Sequence, residues 1–132
     1  MQDILSSSKS AILVNGCPGP WINCKRGLRQ GDPLSPYLFL LVAGTLQALI
    51  RSAATVRYPI DDDRPCAVLQ FADDTLVVMR GDIVDVHELK NILQQFSKAT
   101  GLRINYNKST LVPIHMDMDL AAQCAAEIGC SQ

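Results

Sequence analysis

The sequence predicts an α+β fold, an antiparallel sheet with helices packed on one face. Three observations carry that reading. Residues 68–72 and 75–79 are short runs of strand-forming residues around Asp73-Asp74, the pattern of a tight hairpin. Residues 33–54 and 82–100 repeat apolar side chains at helical spacing. Residues 12–25 give a second hairpin pattern, with Asn15-Gly16 and a Pro/Gly loop at its bend.

Length and composition bound the possibilities. The 132 residues make one domain, or a piece of a larger protein, with enough chain to bury a core. With 48% hydrophobic and 19% charged residues the chain is globular, not disordered. A net charge of −1 and a pI of 6.0 give no global basic field, so any polynucleotide contact is local. The five cysteines form no CxxC pair and no zinc spacing with His87 or His115. Their odd number, without a signal-like terminus, predicts reduced thiols in an intracellular protein. His87 and His115 read as surface or structural residues. No run approaches the ~20 apolar residues of a membrane span, so no membrane partner is expected.

The elements follow in order. Residues 1–10 are polar and Ser-rich, a flexible terminus; 11–113 hold the main domain and 114–132 a helical tail. Arg26-Gly27-Leu28-Arg29-Gln30-Gly31 is a loop leading into the first helix, with Asp32 as N-cap and Pro33 at the first helical position. Leu34, Leu38, Leu41, Val42, Leu46, Leu49 and Ile50, with other apolar residues between them, make that helix apolar almost all round. It is therefore expected to be covered on several sides, and its stability to be marginal where cover is missing. Asp61-Asp62-Asp63 in a proline-bounded break reads as a solvated acidic run. Asp82 or Asp85 caps the second helix, Asp85 and Glu88 sit at capping-box spacing, and Gly101 is its C′ residue. Residues 102–106 and 111–112 read as strands, and 118–128 as an Ala-rich helix.

The chemistry gathers at the central hairpin. Its strands are apolar on both alternating faces, which predicts cover on both sides, and an unpaired acid in such a strand is costly. Both acids are therefore expected at the bend, facing a polar cleft. At an effective dielectric of about 20 and about 5 Å, their repulsion is roughly 3 kcal/mol. A divalent cation relieves it, and hard oxygen donors on a rigid turn suit Mg²⁺. The same two residues also suit an ordinary solvated turn.

Three spaced blocks resemble one family. Residues 26–39, Arg-Gly-Leu-Arg-Gln-Gly-Asp-Pro-Leu-Ser-Pro-Tyr-Leu-Phe, strongly resemble a block of the reverse transcriptases of non-LTR (LINE-type) retrotransposons. Phe71-Ala72-Asp73-Asp74 resembles their [YF]-x-D-D motif, here FADD, and Gly101-Leu102-Arg103-Ile104-Asn105 with Lys108-Ser109 a later block, all in family order. Group II intron maturases share parts of these motifs. The resemblance implies a partial polymerase palm from an RNA-directed DNA polymerase, a nucleotidyltransferase. Its partners would be an RNA template, a DNA primer and dNTP. It implies Mg²⁺ (or Mn²⁺) on Asp73 and the adjacent Asp74, in two-metal phosphoryl transfer. It implies nucleotide and template contacts at Arg29, Gln30, Gly31 and Ser35, with Ser35 and Pro36 opening the palm helix. Lys108 would approach the triphosphate or act as a general acid, against the alternative of a solvated turn lysine.

One departure stands against these matches. The family's first catalytic aspartate belongs to an earlier strand, and the sole acid before Asp32 is Asp3, in the Ser-rich terminus. Fingers strands and thumb are also missing, so a chain inactive by itself is expected. The competing readings are a catalytically dead palm remnant serving as an interaction module, and a small metal-dependent nuclease.

Overall fold

The computed structural model describes residues 9–24, 27–28, 31–61 and 63–131. The expected flexible terminus thus falls mostly on residues outside the described ones, as does Asp62. The chain divides into two compact units, Met1–Leu41 and Val42–Gln132.

The first unit carries short antiparallel pairs. Strands β2 (Leu13–Val14) and β3 (Cys17–Pro18) are joined by Asn15-Gly16, both at positive φ, the conformation that two-residue hairpins favour. Strands β1 (Lys9–Ser10) and β4 (Ile22–Asn23) pair outside them. The expectation for 12–25 therefore needs correcting: the hairpin turn is Asn15-Gly16, Cys17–Pro18 already returns, and Ile22–Asn23 pairs with Lys9–Ser10 in a separate two-stranded sheet. Pro18 offers no N–H to extend a ladder, which keeps these strands short.

Helix α1 (Ser35–Ser52) begins in the first unit and ends in the second. The helix starts at Ser35, two residues after the expected Pro33, and ends at Ser52 rather than 54. Asp32 closes the turn before it, its Oδ1 accepting from Leu34 N at 2.8 Å and its carbonyl from Ser35 N at 3.1 Å. The expectation of cover on several sides fails. Leu46 and Ile50 are buried, while Tyr37, Leu40, Leu41 and Leu49 are exposed.

In the second unit, β5 (Ala67–Phe71) and β6 (Asp74–Val78) form the central antiparallel hairpin. Helices α2 (Ile83–Thr100) and α3 (Met118–Ile128) follow. One core joins Leu46 and Ile50 of α1, Val56, Cys66, Val68 of β5, and Leu89, Ile92 and Phe96 of α2. Helix-on-one-face packing is thus observed. α2 keeps its expected ends: Asp82 Oδ1 accepts from Val84 N at 2.9 Å, and Gly101 at φ 77° caps the C-terminus. Asp85 is no cap. It is 4% exposed, with Oδ2 3.5 Å from Arg80 Nε, because the inward face of the first turn presents it to the chain leaving β6.

The two later strand expectations also fail. Residues 102–105 carry no regular secondary structure and join no ladder among the described residues, and Tyr106–Lys108 is a 3₁₀ turn. Near residues 111–112 the described residues form only a single parallel bridge, Thr110 to Ser131. Alternating apolar residues fit a strand, but a strand exists only where a partner edge is present. All five cysteines are free thiols. No described helix is long and apolar enough to cross a membrane.

Candidate active site

The register of β5 and β6 places the acids. Phe71 pairs with Asp74, leaving Ala72-Asp73 as a two-residue loop. Asp73 is thus at the bend as expected, but Asp74 is the first ladder residue of β6, a correction to the reading of both at the bend. Ala72 has φ 52° and Asp73 does not share the positive sign, the pattern of a turn that prefers glycine at its first position. An alanine there is strained by about 1–2 kcal/mol. Such strain tends to persist where function requires the geometry.

Alternation along the strands gives the hairpin two unlike faces. Val68, Gln70, Thr75 and Val77 share one, and Val68 and Val77 join the core. Leu69, Phe71, Asp74 and Leu76 share the other and are all exposed, Phe71 at 84%. Cover on both sides is therefore not found. The inner face is fastened to α1 by polar side chains. Gln47 Nε2 and Arg51 Nη2 donate to the Val68 carbonyl at 2.9 and 3.3 Å, and Gln70 Nε2 donates to the Ala43 carbonyl at 3.1 Å. Sequence reasoning did not single out these residues. Their signal was present, however: Gln47 interrupts an apolar helix and Gln70 an apolar strand.

Asp73 and Asp74 are exposed, and among the described residues no ion pair engages either one. Exposure brings their surroundings close to water, so their repulsion falls well below the roughly 3 kcal/mol of a low-dielectric cleft. No group of three or more His, Cys, Asp or Glu side chains converges among the described residues. The structure thus offers two adjacent hard oxygen donors, one in the loop and one at the start of β6, a set that suits a divalent cation held by one or two carboxylates.

The other expected site residues are distributed. Arg29 and Gln30 lie outside the described residues. Gly31, at φ 85°, takes a left-handed turn before Asp32, and among the described residues no atom beyond its chain neighbours stands within 4 Å of where a Cβ would be. Glycine serves the backbone conformation there and leaves the approach open. Ser35 is half-buried at the first position of α1. Lys108 is exposed at the end of the 3₁₀ turn, its N–H bonded to the Asn105 carbonyl at 3.0 Å, and neither acid bonds to it.

Residues 2–118 match the family model described as reverse transcriptase (RNA-dependent DNA polymerase). The chain belongs to the reverse transcriptase family. It is 32% identical over 111 residues to the retrovirus-related Pol polyprotein of the type-1 retrotransposable element R2 of Popillia japonica, covering 83% of this chain and 15% of that one. It is 32% identical over 110 residues to the transposon TX1 149 kDa protein of Xenopus laevis, covering 83% and 8%. An uncharacterised mitochondrial protein of Arabidopsis thaliana is 46% identical over 69 residues, covering 48% and 57%. No solved structure matches. The chain spans well under a fifth of the length of both transposon relatives. The resemblance to non-LTR retrotransposon reverse transcriptases thus holds at the level of family, and the α+β architecture fits part of such a palm. Reverse transcriptases as a family act on a primed RNA template with dNTP and use divalent metal ions.

Proposed function

We propose that this chain supplies the acid-bearing half of a reverse transcriptase polymerase centre, with Asp73 the principal carboxylate toward Mg²⁺ (or Mn²⁺). The observation that supports it most is the FADD hairpin: an exposed Asp73 on a strained two-residue turn, with Asp74 directly after it and no ion pair to either among the described residues. A divalent cation bound there stabilises the charge on a transferring phosphoryl group. Asp73 and Asp74 hold it, the turn fixing Asp73 and the ladder fixing Asp74. Arg29, Gln30, Gly31 and Ser35 contact the nucleotide and template, the open backbone at Gly31 admitting a close approach. Lys108, exposed and free to move its ammonium, meets the triphosphate. Template, primer and dNTP belong to the whole polymerase. Two adjacent acids at one end of a hairpin make only one side of a two-metal site, so the 132-residue chain alone extends no primer.

Calorimetric titration with MgCl₂ tests this reading, comparing the chain with its Asp73→Ala variant. Heat from a millimolar site that vanishes in the variant supports it. Identical titrations would favour a catalytically dead palm remnant. Primer extension on an RNA template, abolished by Asp73→Ala, would show that these acids suffice without a third.

A further inference from the structure

Residues 119–131 lie beyond the stretch that matches the family model, yet they bind the segment that follows Lys108. Helix α3 docks on α2 through buried Ala121, Cys124 and Ala125, and Glu127 is engaged by both His87 and Lys90 of α2. Gly129 ends α3 at φ 89°, a left-handed residue that turns the chain back. Ser131 then lies parallel to Thr110.

Four hydrogen bonds join the two segments. Ser131 N and Oγ donate to the Ser109 carbonyl at 3.2 and 3.1 Å. Leu111 N donates to the Ser131 carbonyl at 2.9 Å, and the Thr110 and Ser131 hydroxyls lie 3.1 Å apart. On the other side of Lys108, the Asn105 carbonyl accepts from Lys108 N and from Ser109 Oγ, both at 3.0 Å. The backbone carrying Lys108 is therefore held from both sides: locally by Asn105, and from the far end of the chain by Ser131.

We infer that Ser131 is a positioning residue for Lys108, and that the α3 terminus sets where that ammonium meets a polyphosphate. The inference rests on the reading of Lys108 given above. Without Ser131 the 3₁₀ turn keeps only its own short-range bonds, and a solvated turn of that size samples many directions. Lys108 pays less ordering entropy on binding an anion when its backbone is already fixed.

The test uses the full chain, a chain ending at Gly129, Ser131→Pro, and the conservative Ser131→Thr. Two quantities are read by NMR: amide exchange at Leu111, and the shift of the Lys108 side-chain signals on titration with Mg²⁺ and inorganic tripolyphosphate. Shortening the chain, or Ser131→Pro, makes Leu111 exchange about tenfold faster, the loss of one or two ordinary hydrogen bonds. It also weakens the Lys108 response several-fold, while α2 amides exchange as before. Ser131→Thr retains both properties. Unchanged Leu111 exchange overturns the inference. So does faster exchange with an unaltered Lys108 titration, which would make the clamp purely structural. If Lys108 gives no response in the full chain, its assigned role and this inference fall together. The MgCl₂ titration at Asp73 judges the polymerase reading separately.

Discussion

Ala72 holds φ 52° in the loop between β5 and β6, and exchanging it for glycine measures what that conformation costs. An L residue in the left-handed region carries about 1–2 kcal/mol, whereas glycine enters it freely. Against that gain, glycine loses more backbone freedom on folding, about 0.5–1 kcal/mol. Ala72 is exposed, so removing its methyl leaves no cavity. The difference favours Ala72→Gly by about 0.5–1 kcal/mol, or roughly 2–5 °C in Tm for a chain of this size. Thermal and urea unfolding followed by circular dichroism read it directly. A looser turn also widens the range of Asp73, so under the proposed function the stabilised variant takes up Mg²⁺ more weakly, a trade expected where strain serves a site. A lower Tm for Ala72→Gly would refute the reasoning, because it would mean that the turn is unstrained or that the methyl makes a contact.

Cysteine reactivity follows burial. Burial pushes up the thiols of Cys66 and Cys124, with Arg51 opposing and Asp85 reinforcing the shift at Cys66, and Asp82 reinforcing it at Cys124. Iodoacetamide in native buffer therefore labels exposed Cys17 and spares Cys66 and Cys124 until denaturant is added; rapid native labelling of Cys66 would contradict the core assignment. The α2–α3 contact weakens in acid. The hydrogen bond from His87 holds the Glu127 carboxyl below its usual 4.5, with Lys90 adding to the effect. Because the folded value is depressed, the stabilisation is present above 4.5 and is lost as pH falls through the lowered value. Melting curves from neutral to acid pH should favour the wild type over Glu127→Gln near neutrality and converge in acid; a gap that widens on acidification would reverse the sign.

Local signals were legible in the sequence and distant ones were not. Asp82 and Gly101 bracket α2 because a cap and a left-handed stop are written in neighbouring residues. The bounds 118–128 of α3 follow from Asp117, which caps it, and Gly129, which ends it. The FADD turn was readable from its flanking strands, although the division of the acids, one in the loop and one in the ladder, needed the register. Residues 102–106 misled because their alternation is that of a strand whose partner edge is missing among the described residues. Asp85 misled because a capping spacing says nothing of Arg80, five residues earlier, turning back toward it. The clamp of Ser131 on Ser109 and Leu111 spans some twenty residues and leaves no periodicity at all. Arg29 and Gln30, two residues of the 26–39 block that resembles the family, lie outside the described residues.

The unlike faces of the hairpin explain how an exposed acid is held in place. A two-stranded ribbon alone is marginal in water. This one is secured on one face by Val68 and Val77 in the core and by the side chains of Gln47, Arg51 and Gln70, which link it to α1. The Val68 carbonyl accepts from α1 side chains, so the helix also satisfies a group that a bare strand edge would leave to water. Fixing one face leaves the loop free to project Asp73 without burying it. Asp74, one residue later, points by alternation to the exposed face beside Phe71 and takes its direction from the ladder. Two neighbouring carboxylates are thereby fixed by different means and aimed differently. That is the physical basis for the proposal that gives Asp73 the principal role and Asp74 the lesser one.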